Sequence, residues 1–420
     1  MEAQGRGIMP LRSLTLDLPP SCIEFCPGHP DYFMIGTYNL QKGDDDPETV
    51  TEDDKEEQQT TKSAQTRDGS LVLFRLTETN NIKHIQTILY PSAILDLHFH
   101  PEREGCTVLA VVSSTGTLSF FRLSSSEGSQ VSLEEIITHR PFDDDEGVLF
   151  LSCSWHPYIS ELLAITTSDY QVHILQIDKS WNIHKTRTEP VITHTLEAWT
   201  VAFSSLTPKR SNLDVTDSLG ENLQQFTIFS GGDDSKLLAT NCAYNLNRIC
   251  GEDDSIETPY PITTIKGHEA GVTAILPLDM QLASLDSVVI TGSYDDHIRV
   301  FAVNDQGMFL QKSRLLAEEN LQGGVWRLKL ISLQKSKGTA DGQQWKALVL
   351  ASCMHAGSRV LEITGNIITE SCEIKVLGRF EEHKSMNYGS DFQPGSELGD
   401  RKLRCVSTSF YDRLLCLWEY

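Results

Sequence analysis

One short pattern recurs along this chain and constrains its fold more than any other feature. Its clearest copy runs from Thr291 to Phe301, where a strand ending in small residues is followed by a turn containing Asp295 and by a second strand. That second strand ends on an aromatic residue six positions after the turn aspartate. The other copies have turns at Asp68, Asp169, Asp234 and Asp412, with degenerate versions at Thr115 and Ala356. Seven copies at intervals of roughly 50 to 65 residues predict a repeat architecture.

The segments between the copies predict the type of repeat. They are short runs of Val, Ile, Leu and Phe separated by turn residues, which is typical of many short β-strands. An aromatic residue, any residue and a proline precede several copies, at Phe25–Pro27, Phe99–Pro101, Trp155–Pro157 and Phe392–Pro394. A proline there would end the innermost strand of a propeller blade. Gly267-His268 resembles the start of a WD-type repeat, so we predict an all-β, seven-bladed WD-repeat-like β-propeller, although the WD dipeptide itself is absent.

The predicted ring needs a strand from the N-terminal region. The last copy provides three strands for the seventh blade, and Leu11–Leu18, with alternating apolar residues, is the predicted fourth strand. This pairing would close the ring and remove exposed sheet edges. We therefore expect residues 1–420 to form a single propeller.

An acidic insertion interrupts the first predicted blade at residues 41–66. Asp44 to Glu57 contains nine acidic residues and one lysine, which gives a local charge of −8. Such a composition is typical of a disordered, solvated loop. Contact with a basic partner is the alternative interpretation.

The overall composition excludes some classes of function. Lys+Arg number 35 and Asp+Glu 58, a formal net charge of −23 that argues against binding to nucleic acids or anionic membranes. No signal peptide is recognisable, and the most apolar run, Ala347–Met354, is too short to span a bilayer. The ten cysteines are scattered without a CxxC pair, which indicates reduced thiols and no structural zinc. We expect a cytoplasmic monomer without a cofactor.

Motifs that mark common enzyme classes are missing from the sequence. It contains no G-x-S-x-G elbow, P-loop, G-x-G-x-x-G or H-E-x-x-H. His98 and His100 share one strand face, but no Cys, Asp or Glu follows at ligand spacing. We therefore favour core or surface histidines there over a metal site.

The propeller prediction places a set of side chains on one rim. The residue before each turn should point onto that face; these residues are Arg67, Ser114, Ser168, Asp233, Tyr294, His355 and Tyr411. The starts of the innermost strands add Trp326, Arg327 and Tyr388. Three tyrosines, one tryptophan and one histidine thus fall on the fifth to seventh blades. Together they could hold a cation against ring faces and move a proton. Packing of blade against blade is the alternative for each aromatic residue.

Several residues that look catalytic in isolation have structural interpretations. An aspartate at the same place in successive blades is better explained as the acceptor that holds the turn, which applies to Asp234, Asp295 and Asp412. His268 and His383 occupy equivalent positions and are assigned to structure as well. Cys353 shares a strand face with His355 and could be a nucleophile, but a buried, inert cysteine is the alternative that we favour.

The C-terminal half contains more specific motifs. These are Gly-Ser-Tyr294-Asp295-Asp296, Gly-Gly-Val-Trp326-Arg327, Cys353-Met-His355, Glu-His383-Lys-Ser385-Met-Asn-Tyr388-Gly and Ser-Phe-Tyr411-Asp412. With Gly-Gly-Asp233-Asp234 in the fourth blade, they resemble the diphthine methylesterase family, also called diphthine methyltransferases, which are WD-repeat proteins of diphthamide biosynthesis. The resemblance is strong over residues 225–420 and general before them. Ala356 departs from it, because asparagine is expected there.

The resemblance implies a substrate and a reaction. The substrate would be elongation factor 2 carrying methylated diphthine, and hydrolysis of the methyl ester would release methanol. Diphthine bears a quaternary ammonium, which ring faces and carboxylates recognise. The candidates for this recognition are Trp326, Tyr294, Tyr388 and Tyr411, with Asp233 or Asp296 adding negative charge.

The ester chemistry leaves several assignments open. His355 is the first candidate for the general base, and Arg327, Ser385 or the N–H groups of Gly323-Gly324 could hold the oxyanion. A covalent route through Ser385 or Cys353 is the alternative to direct attack by water. The rival hypothesis from another class is a non-catalytic WD-repeat scaffold for protein assembly.

Overall fold

The computed structural model describes most of the chain. The described residues are 5–40, 67–101, 103–124, 131–142, 147–206, 209–210, 223–246, 254–304, 313–336, 343–396 and 402–420. The acidic insertion predicted at residues 41–66 lies outside them.

The strands form seven sheets, which we number as blades 1 to 7 in chain order. Blade 1 contains Pro20–Phe25, Tyr32–Thr37, Asn39–Leu40, Arg67–Leu76 and Ile82–Tyr90. Blade 2 contains Ile94–Phe99, Val108–Ser113, Leu118–Ser124 and Ser132–His139. Blade 3 contains Phe150–Trp155, Leu162–Thr167, Gln171–Ile177, Ile183–Lys185 and Ile192–Thr193. Blade 4 contains Ala198–Phe203, Lys209–Arg210, Leu223–Gly232, Leu237–Asn245, Ile256–Glu257 and Thr263–Ile265.

The remaining three blades follow the same antiparallel order. Blade 5 contains Val272–Gln281, Ser287–Ser293, His297–Val303 and Ser313–Asn320. Blade 6 contains Arg327–Lys335, Gln344–Ser352, Ser358–Asn366 and Cys372–Phe380. Blade 7 contains Gly389–Phe392, Arg404–Ser409 and Leu414–Glu419. The first strand of each blade contacts the first strands of both neighbouring blades in a closed circle, so the predicted seven-bladed propeller is confirmed.

A strand near the N-terminus completes the ring. Pro10–Thr15 pairs antiparallel with Leu414–Glu419 of blade 7, with Thr15 opposite Leu414. This strand is shorter than the predicted Leu11–Leu18, because the chain leaves the sheet after Thr15. Arg6–Ile8 adds a parallel fifth strand to Cys372–Phe380 of blade 6, a pairing that the repeat pattern did not predict.

Apolar side chains from facing sheets hold neighbouring blades together. Val288 and Ile290 of blade 5, for example, belong to the same buried cluster as Val349 and Leu361 of blade 6, and all four are fully buried. Alternate residues of a strand point to opposite faces, so a blade packed on both sides needs nearly continuous Val, Ile and Leu. Burial of each such side chain stabilises the fold by about 1.5–3 kcal/mol.

The sequence landmarks coincide with strand ends. Phe25, Phe99, Trp155 and Phe392 are the last residues of their innermost strands, as the following prolines predicted. Blade 1 differs at its turn: Asp68 lies inside a strand and accepts a hydrogen bond from Asn39 Nδ2 at 2.7 Å.

Two further findings concern helices and cysteines. A short 3₁₀ helix spans Arg103–Cys106. Within the described ranges, no helix is long and apolar enough to cross a bilayer. The nine cysteines in the described part of the chain are all free thiols.

Candidate active site

One rim of the propeller, here called the upper rim, carries the starts of the innermost strands and the turns between second and third strands. Trp199, Trp326 and Tyr388 occupy the same repeat position on this rim in blades 4, 6 and 7. Trp199 is an extra residue between the pairs Ala198–Gly232 and Thr200–Gly231, a bulge that redirects its side chain. Trp326 and Tyr388 each lie directly before an innermost strand.

These three rings belong to a larger group. Trp326 lies at its centre, with ring centroids 5.6 Å from Trp199, 5.8 Å from Tyr294 and 5.0 Å from Tyr388. The ring centroids of Tyr388 and Phe410 lie 5.6 Å apart, and Phe410 also contacts the rings of Tyr38 and Tyr411. We call these seven residues the rim cluster: Tyr38, Trp199, Tyr294, Trp326, Tyr388, Phe410 and Tyr411. Because Trp326 of blade 6 meets rings from blades 4, 5 and 7, we infer that it lies over the mouth of the central channel.

Tyr294 is fitted closely between two glycines. A Cβ at Gly271 would lie 2.9 Å from Tyr294 Cδ2 and 2.7 Å from Asp233 Oδ1. A Cβ at Gly324 would lie 2.7 Å from Met354 Sδ and 3.4 Å from Tyr294 Cδ1. Side chains at these two positions would therefore displace the ring or its neighbours.

A carboxylate accompanies the rim cluster. Burial raises the pKa of Tyr294, and the nearby Asp233 and Tyr388 raise it further. Burial, followed by Tyr411, raises the pKa of Tyr388. Both phenols therefore stay neutral at physiological pH while Asp233 supplies negative charge beside them. This combination favours a bound cation.

The structure brings together most of the predicted binding residues. Tyr294, Trp326 and Tyr388 are in direct ring contact, and Tyr411 joins them through Phe410, at a centroid distance of 5.1 Å. Asp296, two residues after Tyr294, has no described contact with these rings. It has a left-handed backbone, with φ of 66°, and its charge adds to burial in raising the pKa of Cys353.

Three members of the rim cluster were missed from the sequence: Tyr38, Trp199 and Phe410. The Ala-Trp199-Thr segment has the same place in its repeat as Val-Trp326-Arg, a signal that would have identified Trp199. The Trp199 Nε1–H is buried and has no hydrogen-bond acceptor among the described residues.

The predicted catalytic residues lie in different surroundings. His355 is exposed in the turn between the second and third strands of blade 6, and its imidazole has no hydrogen-bond partner in the ranges that the structure describes. Cys353 is fully buried, and burial raises the pKa of its thiol to about 12. Ser385 donates a hydrogen bond to Asp412 Oδ1 at 2.8 Å and accepts one from the Tyr411 N–H at 2.9 Å. Their catalytic roles stay predictions.

Arg327 points into the central channel, where it joins a group of charged side chains. Arg327 Nη2 lies 2.9 Å from Asp96 Oδ1, and His98 Nε2 lies 3.4 Å from the other oxygen of Asp96. His98 Nδ1 lies 3.1 Å from Glu24 Oε2. Lys329 Nζ lies 3.0 Å from Glu24 Oε1 and 2.9 Å from an Asp391 oxygen. We call this set the channel network: Glu24, Asp96, His98, Arg327, Lys329 and Asp391.

Strand register arranges the channel network in two layers. Asp96 and Arg327 are equivalent positions in blades 2 and 6 and lie nearer the upper rim. Glu24, His98 and Lys329 lie two residues further along their strands, which places them roughly 6.6 Å deeper.

The pKa shifts favour ionised carboxylates at Glu24 and Asp96 and a protonated imidazole at His98. Burial alone would raise the pKa of Glu24, but Lys329 and His98 lower it to about 2. Arg327 and His98 likewise hold the pKa of Asp96 well below its usual range despite burial. Burial would lower the pKa of His98, yet Asp96 and Glu24 raise it to about 10. His98 is thus a cation at neutral pH, unsuited to act as a general base.

The turn aspartates and their histidines make structural contacts. Asp234 Oδ1 lies 3.0 Å from His194 Nδ1, and Asp295 pairs with Arg299 at 2.8 Å. Asp412 accepts the Lys384 N–H at 3.1 Å. His268 contacts the Thr291 hydroxyl at 2.8 Å, and His383 contacts that of Ser407 at 2.7 Å; the Ser407 hydroxyl also accepts the Trp418 indole N–H. These bonds tie each turn to its blade.

A cleft of about 540 Å³ lies on the opposite face, between blades 1 and 7. Its walls include Asp31, Glu78, Lys402, Arg404 and Glu419, charges of both signs. None of the described residues that line this cleft is aromatic, so they do not supply the ring faces that recognise a quaternary ammonium.

Comparison with known proteins finds relatives along nearly the whole chain. A Dictyostelium discoideum protein named diphthine methyltransferase homolog is 25% identical, over 96% of this chain and 97% of its own length. The Schizosaccharomyces pombe diphthine methyltransferase is 27% identical, over 98% of both chains. The mouse protein of that name is 27% identical, over 91% of this chain and 69% of its own. The resemblance predicted from the sequence is therefore confirmed, and it extends into the first half of the chain.

Solved structures agree on the fold. The Chaetomium thermophilum protein Sqt1, crystallised bound to the N-terminus of ribosomal protein L10, has a TM-score of 0.53 at 13% identity and covers both chains completely. A second Sqt1 structure has a TM-score of 0.54 at 12% identity, covering 98% of this chain and 99% of Sqt1. No protein-family model matches the sequence.

Proposed function

Because the chain resembles the diphthine methyltransferases from its first blade to its last, we propose that it acts in diphthamide biosynthesis as a methyl ester hydrolase. Its substrate would be elongation factor 2 carrying methylated diphthine. The products would be methanol and diphthine with a free carboxylate.

The observation that supports this proposal most is the rim cluster. A quaternary ammonium has no N–H to donate, so a protein recognises it by ring faces and nearby negative charge. Trp326, Tyr294 and Tyr388 supply the rings, and Asp233 supplies the charge. This arrangement suits a trimethylammonium group presented on the surface of a protein substrate.

The reaction itself requires only water as a co-reactant. Water attacks the ester carbonyl while His355 accepts its proton, and the resulting oxyanion is stabilised by Arg327 or by the backbone N–H groups of Gly323 and Gly324. Collapse of the intermediate breaks the acyl–oxygen bond, and the departing methoxide takes up a proton to leave as methanol. The carboxylate remains on the protein substrate.

The surroundings of Cys353 and Ser385 favour direct attack by water over a covalent route. A buried thiol with a pKa near 12 forms little thiolate at neutral pH. The Ser385 hydroxyl donates a hydrogen bond to Asp412 Oδ1. Burial would raise the pKa of Asp412, but hydrogen bonds from Ser409 and Ser385 lower it, which makes this carboxylate a weak base for activating the hydroxyl.

An isotope experiment tests the reaction directly. Purified protein is incubated with methylated elongation factor 2 in ¹⁸O-labelled water, followed by mass spectrometry of the modified peptide and by measurement of methanol. Ester hydrolysis predicts loss of one methyl group and incorporation of one ¹⁸O atom into the peptide carboxylate. Label in methanol and not in the peptide would show cleavage of the methyl–oxygen bond, as in methyl transfer to water, and no mass change would contradict the proposal.

Exchange of His355 tests the proposed base. Because His355 is exposed and makes no hydrogen bond among the described residues, His355→Ala is expected to lower turnover at least about a hundredfold while the melting temperature stays nearly constant. His29→Ala, in a turn on the opposite face, is the matched control and should keep full activity. Retained activity in His355→Ala would exclude it as the base.

A scaffold that binds peptides is the second candidate function. It is favoured by the fold of Sqt1, a propeller crystallised with the N-terminus of another protein bound to it. A scaffold predicts that rim variants weaken binding to elongation factor 2 and that neither methanol nor a mass change appears.

A further inference from the structure

The turn between the second and third strands of blade 6 has a backbone feature that the corresponding turns of blades 2 to 5 and 7 lack. Each of those turns contains one left-handed residue; these residues are Gly116, Tyr170, Ser235, Asp296 and Arg413. In blade 6 the equivalent Gly357 is left-handed too, with φ of 77°, but Met354 is a second such residue, with φ of 38°. Met354 directly precedes His355. Strain of this kind persists only where the surrounding contacts fix the backbone.

The contacts that hold this turn also differ from those in other blades. In blades 2 to 5 the residue before the turn donates its N–H to the C=O directly before the innermost strand of the same blade, at 2.8 to 2.9 Å; these donors are Ser114, Ser168, Asp233 and Tyr294. Among the described residues, the N–H of His355 has no such acceptor. Instead, the C=O of Met354 accepts the N–H of Asn387 at 2.9 Å, which forms an isolated bridge to the segment before blade 7. The turn of blade 6 is therefore held by the neighbouring blade.

Asn387 is itself fixed by four hydrogen bonds of its side chain. Its Nδ2 donates to the C=O groups of Thr408 at 2.7 Å and of Gly389 at 3.0 Å. Its Oδ1 accepts the hydroxyls of Ser390 at 3.1 Å and of Ser358 at 3.3 Å. An amide side chain has two N–H donors and two acceptor lone pairs, so this capacity is fully used, and the residue is completely buried. The backbone N–H that holds the blade 6 turn therefore has a fixed position.

The neighbours of Asn387 connect this bond to the candidate active site. Tyr388, whose ring contacts Trp326, directly follows Asn387. Met386, on its other side, accepts the N–H of Phe410 at 3.0 Å. Consecutive Cα atoms are about 3.8 Å apart, so the candidate base and a cation-binding ring each lie one residue from the same hydrogen bond.

We propose that Asn387 is a positioning residue, which fixes His355 relative to the ring of Tyr388 through its hydrogen bond to the C=O of Met354. A substrate held by its ammonium presents its ester at one place, and a misplacement of about 1 Å can cost about a hundredfold in rate. This inference rests on the proposed function and adds to it a buried residue that acts through His355 and Tyr388.

A matched pair of asparagine variants tests this role. Asn366 is 6% exposed and lies at the opposite end of blade 6, where its Oδ1 accepts the N–H groups of Ile368 and Thr369 at 2.8 Å. Asn387→Ala and Asn366→Ala should both lower the melting temperature, because each removes buried hydrogen bonds. At a temperature where both are folded, only Asn387→Ala should lower kcat on methylated elongation factor 2, by about tenfold. Equal kcat values in the two variants would make Asn387 a structural residue only.

A second substitution tests whether the effect passes through the turn. Asparagine adopts the left-handed backbone more readily than methionine does. Met354→Asn in the Asn387→Ala background should therefore recover part of the lost kcat, and no recovery would contradict the link through Met354. If Asn387→Ala does not fold, Ser390→Ala removes one hydrogen bond to Asn387 Oδ1 and provides the milder variant for the same comparison.

A measurement without hydrolysis separates this inference from the proposed function. Histidine labelled with ¹³C in its ring gives an NMR signal for His355, which is assigned by its loss in His355→Ala. Tetramethylammonium carries only the cation, and its binding to the full chain is measured by calorimetry. At saturation it should shift the His355 signal in the unaltered protein and in Asn366→Ala, whereas most of this shift should be lost in Asn387→Ala.

The outcomes distinguish the positioning role from the hydrolysis. An unchanged kcat in folded Asn387→Ala, or an undiminished shift of the His355 signal, would overturn the positioning role even if methanol were released from elongation factor 2. Absence of any shift in the unaltered protein would also overturn it, because the candidate base and the cation site would then not be linked. A shift that depends on Asn387 without any methanol release would support the positioning role and contradict the hydrolase.

Discussion

The rim cluster and the channel network meet at Trp326 and Arg327, but the first consists of aromatic rings and the second of paired charges. The rings of the rim cluster are partly or largely exposed and tilted against each other, and Trp326 has no charged partner among the residues that the structure describes. The channel network contains three carboxylates and three cations, each with a partner of opposite sign. A ligand can replace ring–ring contacts at little cost, whereas an unpaired buried charge is strongly unfavourable. The comparison indicates that binding belongs to the rim and stability to the channel, with Arg327 as the residue that takes part in both.

The largest effect is expected where the channel network loses a carboxylate. Asp391 is 1% exposed and accepts hydrogen bonds from the Phe25 N–H at 2.7 Å and from Lys329 Nζ at 2.9 Å. Asp391→Ala leaves both donors without this acceptor and should lower the free energy of unfolding by about 3–5 kcal/mol, measured by urea titration.

A surface pair is the control for that variant. Lys402 pairs with Glu419 at 3.3 Å and its side chain is 74% exposed, so Lys402→Met should cost less than about 1 kcal/mol. If the free energy of unfolding fell by a similar amount in both variants, the structural role of the channel network would be contradicted.

The next effect depends on pH. The folded-state pKa of Glu24 is lowered from 4.5 to about 2, so its contribution to stability is fully present above pH 4.5 and is lost as the pH falls towards 2. Glu24→Gln should therefore be about 2 kcal/mol less stable than the unaltered protein at pH 6, and the gap should narrow below pH 4.5. Urea titrations of both proteins at pH 6, 5, 4 and 3 measure the gap. A gap that is constant over this range would show that the charge of Glu24 is not what stabilises the channel.

A variant of the rim cluster should lose cation binding and keep most of its stability. Trp326→Leu removes the central ring and should weaken tetramethylammonium binding about tenfold, because the ring face that attracts the cation is lost. Its free energy of unfolding should fall by only about 1 kcal/mol, since Trp326 is partly exposed and leucine retains apolar contact. A loss of stability as large as that of Asp391→Ala, with binding intact, would make Trp326 a structural residue.

The smallest effect is expected at the outer end of the rim cluster. Tyr411 is 71% exposed and contacts only Phe410 among the described rings. Tyr411→Ala should change the free energy of unfolding by no more than about 0.5 kcal/mol and cation binding by about twofold. Tyr158→Ala, at a residue that is 40% exposed outside the rim cluster, should leave cation binding unchanged. A tenfold loss of binding in Tyr411→Ala would move the centre of the site towards blade 7.

The fold could be predicted from the sequence because each repeat contains residues that mark its turns and strand ends. Turn aspartates such as Asp295 and prolines such as Pro27 act through local backbone preferences, which can be read without knowing the neighbours in space. Two repeat positions, the residue before the turn and the start of the innermost strand, placed Tyr294, Trp326 and Tyr388 on one rim. Trp199 was not identified, because its recognition requires that the equivalent positions of blades 4 and 6 be compared.

The channel network could not be predicted in the same way. Glu24, Asp96 and Asp391 are separated by up to 367 positions in the sequence, and each looks like an ordinary charged residue in an apolar strand. Their partners become evident only when seven innermost strands converge. Arg327 illustrates the difference, since its sequence neighbours predicted a position at the channel mouth but gave no sign of Asp96 across the channel.

The pairing of Pro10–Thr15 with Leu414–Glu419 has a consequence for the order of events during synthesis. Pro10–Thr15 must wait for a partner strand that leaves the ribosome about 400 residues later. At elongation rates of about 5–20 residues per second, that interval is roughly 20 to 80 seconds. During it, blades 1 to 6 can form by pairing of strands that are near in sequence, but the two edges that will meet remain open. Because the ring is closed in this way, these edges need protection in the cell until Leu414–Glu419 has been synthesised.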